Sequence, residues 1–342
     1  MRRLLNTLYV TTPESYLARE GENLLIIRDE EVLFRSPVHN LEGVVCFCYP
    51  GASPALLGLC AERGITVSFF TPNGKFLARV EGPQSGNVLL RRRQYRLADE
   101  ENEKPNLAQY FIAAKILNCR AVLQRARRDH PEKVGDDIER TIAILGNSAR
   151  SVFACKRLDD IRGIEGDAAQ RYFAEYDHLI LEQKQDFYMH SRSRRPPLDK
   201  VNALLSFFYM LLVHECRSAL ESVGLDPAVG FMHRDRPGRP SLALDLMEEL
   251  RPYLADRMVL SLINRKQINK DDFVVMENGA VHVTDEARKL LLNAWQKRKQ
   301  EEIMHPYLEE KVMVGLLPYA QALLLARYLR GDLDAYPAFV IK

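Results

Sequence analysis

At 342 residues the chain is longer than one hydrophobic core usually organises, so two domains are expected. Apolar residues make up 46% and charged residues 27%, a composition that excludes disordered and fibrous classes and suits a globular protein. The formal net charge is +2, so the total does not announce nucleic-acid binding, and any such role must come from local clusters.

Residues 1–85 read as mainly β. Short apolar runs at 4–10, 24–27, 32–34, 44–48, 65–70 and 76–80 alternate with turn signals at Gly21-Glu22-Asn23, Asp29-Glu30 and Pro72-Asn73-Gly74. One helical insert is opened by Ser53-Pro54-Ala55 and closed by Gly64. Strands this short bury enough surface only by stacking sheet on sheet, so a small β-sandwich is expected. Gly82-Pro83-Gln84-Ser85-Gly86 is the linker, and beyond it the apolar period becomes helical. Helices are expected over 106–127, 136–143, 164–179, 200–223, 241–250, 254–264, 285–299 and 306–330, with loops at 128–135 and 196–197. A strand pair at 273–275 and 280–283 flanks Glu277-Asn278-Gly279. The class is therefore α+β: an N-terminal β-sandwich over 1–85, a linker and start of the helical region over 86–105, and a mostly α-helical domain over 106–342.

Cys46, Cys48, Cys60, Cys119, Cys155 and Cys216 lack paired CxxC spacing, which argues against zinc or a disulfide framework. No long apolar region follows Met1-Arg2-Arg3, and no run approaches the roughly 18 apolar residues of a membrane span. The expectation is a cytoplasmic protein with no membrane partner.

The chemistry is concentrated in a split set of oxygen and imidazole donors. Glu165 follows Gly163 in a helix whose apolar stripe is Ala168, Ala169, Tyr172, Phe173 and Tyr176, so its carboxylate points toward the core. A first-turn acid satisfying the helix dipole is the simpler reading of that residue alone. Asp245 and Glu248 are three apart on a helix that Ser241 can cap, which stacks their carboxylates within about 5–6 Å of each other. They need a cation between them, or Arg251 or Arg257 on an exposed face. His233 sits where the apolar Val229-Gly230-Phe231-Met232 gives way to a Gly/Pro loop, a place where most histidines simply hydrogen-bond. Taken together, carboxylates with one imidazole suit Mg²⁺ or Mn²⁺ better than a structural zinc.

The surroundings of these residues are basic. Arg234, Arg236 and Arg239 follow the histidine, and Arg192, Arg194 and Arg195 precede the helix leading toward it. Any single run reads as a solvated face, but arginine forks match phosphate oxygens, and two such runs adjoin the proposed ligands. With no G-x-x-x-x-G-K-[ST] loop, phosphodiester exchange or hydrolysis is expected rather than nucleotide turnover. Asn202, in an apolar helix, either orients a neighbour such as His233 or makes a packing hydrogen bond. Tyr172 and Tyr209 read as core.

At this point the residues resemble a known family, the integrase of CRISPR adaptation (Cas protein one), and most closely its type I-C version. The resemblance is carried by Asn6-Thr7-Leu8-Tyr9-Val10, Gly74-Lys75-Phe76-Leu77-Ala78, Arg92-Arg93-Gln94-Tyr95 and the segments 166–173, 195–207, 230–233 and 241–252. It implies a metal triad of Glu165, His233 and Glu248, with Asp245 supporting and Mg²⁺ or Mn²⁺ as cofactor. It also implies a homodimer and a complex with a dimer of Cas protein two on double-stranded DNA. The activity implied is endonuclease and integrase: 3′-hydroxyl ends of a short fragment are joined to the CRISPR repeat by transesterification. A non-catalytic DNA scaffold and a hydrolase of small phosphodiesters are the alternatives.

Overall fold

The structure is a computed structural model that describes residues 6–48, 51–72, 76–80, 82, 88–101, 103–132 and 137–341. The Asn73-Gly74 turn, the linker beyond Gly82, the segment Met1-Arg2-Arg3 and the end of the 128–135 loop lie outside the described residues. The chain packs as two compact units, Met1–Ser85 with Val283–Glu301 and Met313–Leu316, and Gly86–His282 with Glu302–Val312 and Leu317–Lys342.

In the first unit β1 (Asn6–Val10) precedes a meander of β2 (Tyr16–Glu20), β3 (Asn23–Arg28) and β4 (Glu31–Pro37). There follow β5 (Leu41–Cys46), the short β6 (Gly51–Ala52), α1 (Pro54–Glu62), β7 (Thr66–Phe70) and β8 (Phe76–Val80). Two four-stranded sheets result, ordered β1-β5-β7-β8 and β4-β3-β2-β6. β1, β5 and β7 run parallel, with Val10 opposite Cys46 and Val44 opposite Val67. α1 makes the crossover that parallel strands require, with Ser53 Oγ accepting from Leu56 N at its start. The β3–β4 turn places Asp29 and Glu30 at positive φ, as a tight hairpin whose twist matches its strands demands. Val10, Val44 and Val67 from one sheet and Leu17, Leu24 and Ile26 from the other enter a single core with Leu56 and Cys60. β2 escapes the sequence reading because only Leu17 of its five residues is buried. All six cysteines carry free thiols.

The second unit begins with α2 (Val88–Asp99), α3 (Lys104–Asp129), α4 (Asp137–Ser151), α5 (Leu158–Tyr176), α6 (Lys200–Ser222), α7 (Ser241–Arg251) and α8 (Arg257–Asn264). It continues through the β9 (Phe273–Val275) and β10 (Val281–Val283) hairpin. After α9 (Asp285–Gln300) come β11 (Glu302–Met304), β12 (Lys311–Met313) and α10 (Leu317–Arg330). Several boundaries differ from expectation. α5 starts at Leu158, so Asp159 and Asp160 fill its first turn and Glu165 lies deeper in the helix, which removes the dipole reading for Glu165. The last helix begins at Leu317 because 302–313 pairs as a small hairpin. α9 groups with the strand unit rather than with the helical domain of 106–342: it buries Leu291, Leu292 and Trp295, and Gln296 Nε2 donates to the Thr7 carbonyl at 3.0 Å. α6 is apolar and long enough to cross a membrane by length and composition, contrary to the sequence reading, yet 61% of its apolar window is buried, as in a core helix.

The centre of this unit is α7, packed between α3 and α6. Ten of its eleven residues are buried, among them Asp245, Glu248, Glu249 and Arg251. A helix enclosed on all sides normally carries apolar side chains, so four interior charges demand partners. Pro252 does not end it: a single π turn, Pro252–Asp256, joins α7 to α8.

Candidate active site

Glu165 comes from α5, Glu248 from α7 and His233 from the loop between α6 and α7. The structure brings all three together, with Lys115 of α3 among them. Lys115 Nζ bonds Glu165 Oε1 and lies 2.7 Å from Glu248 Oε2. His233 Nε2 is 3.9 Å from Glu248 Oε1, and Arg251 Nη1 donates to that same oxygen at 2.7 Å. Among the described residues no three of His, Cys, Asp and Glu already stand as a ready metal cage, because the lysine ammonium holds the centre.

Burial by itself would raise the Glu248 carboxyl, but Arg251 foremost, then Lys115 and His233, hold it well below the usual carboxylate range. Burial likewise works against a charged Lys115, and the neighbouring carboxylates, Glu248 first, outweigh it and raise its pKa. Each group thus favours the charged form of the other.

The loop carrying His233 is built by a buried carboxylate. Asp245 is fully buried and accepts from the backbone N–H groups of Phe231 (2.6 Å), Met232 (3.0 Å) and His233 (2.9 Å). Its Oδ1 also meets His233 Nδ1 at 2.6 Å. A carboxylate only accepts, so Nδ1 carries the proton and Nε2 turns toward Glu248. The loop can approach this closely because residue 230 is glycine: a Cβ there would stand 2.8 Å from Asp245 Oδ2. Ser241, expected as the cap of α7, instead donates its hydroxyl to the Arg234 carbonyl, and Pro240 occupies the cap position. Gln94 of α2 holds the start of the loop, donating to the Asp226 and Val229 carbonyls at 2.8 and 2.9 Å.

Behind Arg251 stands an aromatic support. Its guanidinium lies 4.3 Å from the Tyr209 ring centroid, and Tyr209 donates to Asp256 Oδ1 at 2.5 Å. Tyr172 donates to the other oxygen of Asp256 and Tyr176 to its backbone carbonyl. The π turn delivers Asp256 to this position. Tyr172 is core as expected, whereas Tyr209 also supports a charge.

The donor set fits a hard divalent cation. Glu248 Oε2 is buried, and the one group that meets it is the Lys115 ammonium at 2.7 Å, a place a divalent ion could take. Two carboxylates and an imidazole nitrogen from separate segments converge here, and the side chains of Glu165 and His233 remain 24% and 22% exposed, which gives an ion access.

A cleft of about 530 Å³ opens beside His233, lined by Lys104, Lys156, Arg157, Arg162 and Arg234 against Glu101, Asp159 and Asp235. Of the arginines expected to meet phosphate, Arg234 lines this cleft and Arg194, Arg195 and Arg236 are exposed. Burial first, then Arg236 and Arg195, push the Arg239 guanidinium below its ordinary pKa, with Asp245 pulling the other way. Arg192 is a correction. It is tied inward to Asn202 Oδ1 at 2.6 Å and lies 5.3 Å from the Tyr209 centroid, so it braces the protein instead of presenting a free fork. Asn202 accordingly orients the 191–193 segment and not His233, for it also donates to the Ser191 carbonyl at 2.8 Å. Lys115, Lys104, Lys156, Arg157 and Arg162 escaped the sequence reading. The one signal for Lys115 was a cation inside Ile112-Ala113-Ala114-Lys115-Ile116.

Known proteins resemble the chain in sequence and in fold. The sequence model described as "CRISPR associated protein Cas1" matches residues 8–297. The chain is 54% identical over 341 residues to a CRISPR-associated endonuclease Cas1 of Chlorobaculum tepidum, covering 99% of each chain. It is 53% identical to one of Rhodospirillum rubrum, covering 100% of both. A CAS1 protein from Thermotoga maritima superposes with a TM-score of 0.82 at 21% identity, over 98% of this chain and 100% of that one. A casposase bound to integration product gives 0.83 at 24% identity, over 98% and 94%. A chain of a Cas6-RT-Cas1–Cas2 complex gives 0.81 at 23%, over 99% and 36%. At these identities the three structures speak for the fold.

Proposed function

The chain belongs to the CRISPR-associated Cas1 family, and from that premise we propose that it is a divalent-metal-dependent DNA endonuclease and integrase of CRISPR adaptation. The carrying observation is that Lys115 joins Glu165 to Glu248 while His233 Nε2 lies 3.9 Å from Glu248, beside a basic cleft. The names of the curated relatives support the nuclease reading, and the casposase caught with its integration product supports strand transfer. The finer reading is a type I-C enzyme, cytoplasmic and homodimeric, working with a dimer of Cas protein two on double-stranded DNA. The complex that contains Cas2 is the support for that partner.

Glu165, Glu248 and His233 Nε2 would hold Mg²⁺ or Mn²⁺. When bound, that ion supplies Lewis-acid polarisation of a phosphoryl oxygen and offsets charge on the exchanging 3′-oxygens. Asp245 fixes the imidazole so that its lone pair faces the site. Arg251 keeps Glu248 ionised and oriented. Lys104, Lys156, Arg157, Arg162 and Arg234 are placed to hold strand phosphates beside His233, with Arg195, Arg236 and Arg239 extending the cationic track. In the reaction the fragment's 3′-hydroxyl oxygen bonds to phosphorus at the repeat junction, and the bond from that phosphorus to the repeat 3′-oxygen breaks. The hydroxyl proton leaves to solvent, and the departing 3′-oxygen gains one. One phosphodiester replaces another, so no nucleotide is consumed.

The test is integration into a supercoiled repeat-bearing plasmid, using the protein with its Cas2 partner, with and without chelator. Wild type should join fragments only with the metal, and Glu165→Ala should lose joining while still binding DNA. Joining that survives both chelator and Glu165→Ala rejects the proposal.

A further inference from the structure

We propose that Lys115 is an internal counter-cation of the metal site, one that holds the two acids together in the metal-free protein and is displaced when the divalent ion enters. The inference rests on the metal-site reading above and concerns what this chain does before the ion arrives.

Lys115 is buried, and its ammonium touches the two carboxylates that the ion would need, Glu165 on α5 and Glu248 on α7. Two carboxylates converging in an interior repel each other and are costly to bury without a cation. The lysine therefore does in the empty state what the ion does in the filled one: it keeps α5 and α7 joined through their acids.

Two cations serve Glu248, and they differ in freedom. Arg251 is stacked on Tyr209, whose hydroxyl is anchored on Asp256. Lys115 reaches the site on a flexible four-carbon arm, and the contacts described for its ammonium are the two carboxylates. Of the pair, Lys115 is the one able to leave. The oxygen it would release, Glu248 Oε2, has the Lys115 ammonium as its contact at 2.7 Å and no other hydrogen-bond partner, so the lysine's departure opens it to an ion.

Charge sets the consequence. Glu165, Glu248 and Asp245 face Lys115 and Arg251, so a divalent ion enters a site of net charge −1. Removing the lysine charge makes it −2, which attracts the ion more strongly and leaves the metal-free acids less compensated. Lys115 thus lowers metal affinity and shields the fold against the absence of metal.

The experiment is a titration of the full-length protein with Mn²⁺ alone, followed by electron paramagnetic resonance of the free ion and by thermal unfolding. Wild type is compared with Lys115→Met, Lys115→Gln and Glu248→Gln. The two lysine variants should bind Mn²⁺ at least about tenfold more tightly than wild type. They should also unfold at lower temperature without metal and gain more on adding it. Lys115→Gln keeps polar contacts, so the affinity comparison stands even where Lys115→Met fails to fold. Equal or weaker binding in the variants, with wild-type binding abolished by Glu248→Gln, overturns the displacement and leaves the metal site standing. Absence of any Glu248-dependent Mn²⁺ binding overturns both.

Discussion

Asp245 and His233 are joined twice, once through the histidine's backbone N–H at 2.9 Å and once through its ring Nδ1 at 2.6 Å. Asp245 lies against His233, and its carboxylate is spent on the loop that carries the histidine. It makes the loop present its imidazole. Asp245→Asn should therefore destabilise the protein by about 2–3 kcal/mol, because an amide cannot accept from all four donors. It should also weaken Mn²⁺ binding about 10–100-fold. Urea unfolding and Mn²⁺ titration check both, and unchanged values for both would mean the loop is held by other contacts.

Arg251 is 7% exposed and pairs with Glu248, so Arg251→Met leaves a buried carboxylate with less compensation. The expected cost is about 3–5 kcal/mol in denaturant unfolding, partly recovered by adding Mn²⁺. A loss below about 1 kcal/mol would show that Lys115 alone carries the carboxylate.

The segment following α10 closes over α7 at Glu249. Tyr336 Oη donates to Glu249 Oε1 and Phe339 N to Oε2, both at 2.6 Å, while Asn118 Nδ2 donates to the Phe339 carbonyl at 2.8 Å. Ending the chain after Asp334 strips partners from two buried polar side chains on α3 and α7. The unfolding free energy should fall by at least about 3 kcal/mol, since each unsatisfied buried group costs about 1–3 kcal/mol. An unchanged melting temperature would contradict the role given to this segment.

His305 has no exposed surface. Its Nε2 meets Gln321 Oε1 at 2.9 Å, while Nδ1 accepts from the N–H groups of Tyr307 and Leu308 at 3.3 and 3.2 Å. A second ring proton would face two donors. Burial foremost pushes its pKa below the ordinary histidine value, with Gln321 pulling the other way. In the unfolded chain the ring protonates near pH 6.5, so below that pH the unfolded state binds the extra proton and stability falls with falling pH. The stability lost between about pH 7.5 and about pH 5.5 should be smaller in His305→Gln than in wild type. Parallel pH profiles for the two proteins would exclude this histidine as the cause.

The arginines separate by placement. Arg195→Ala with Arg236→Ala should weaken DNA binding and lower the salt slope by about one unit per lost phosphate contact. Arg192→Ala should leave the slope unchanged and lower the melting temperature, because that guanidinium braces Asn202 and Tyr209. The reverse pattern would mean that Arg192 turns outward on DNA.

Much of this was legible in the residues. Glu165, His233 and Glu248 stood out because a charge in small or apolar company is costly unless shared; the structure sets Glu165 and Glu248 on one lysine and His233 beside Glu248. Lys115 was not legible, since a lone lysine in an apolar helix equally well sends its arm to solvent. The paired sheets followed from short strands and turn residues, but β6 has only two residues and carries no pattern. The break expected at Pro252 is absent because Pro252 opens a π turn that carries the chain on into α8, and nothing in the local period announces it. The grouping of α9 with the strand unit was equally hidden, since a helical stripe says that a face is buried and not against what.

The central claim is that Glu165, His233 and Glu248 share one divalent ion, and anomalous diffraction from crystals soaked in Mn²⁺ tests it most directly. The account predicts one strong peak within ligand distance of all three side chains, with the Lys115 ammonium moved off both carboxylates. Saturating Mn²⁺ with no peak there, and Lys115 still bridging Glu165 and Glu248, would contradict it.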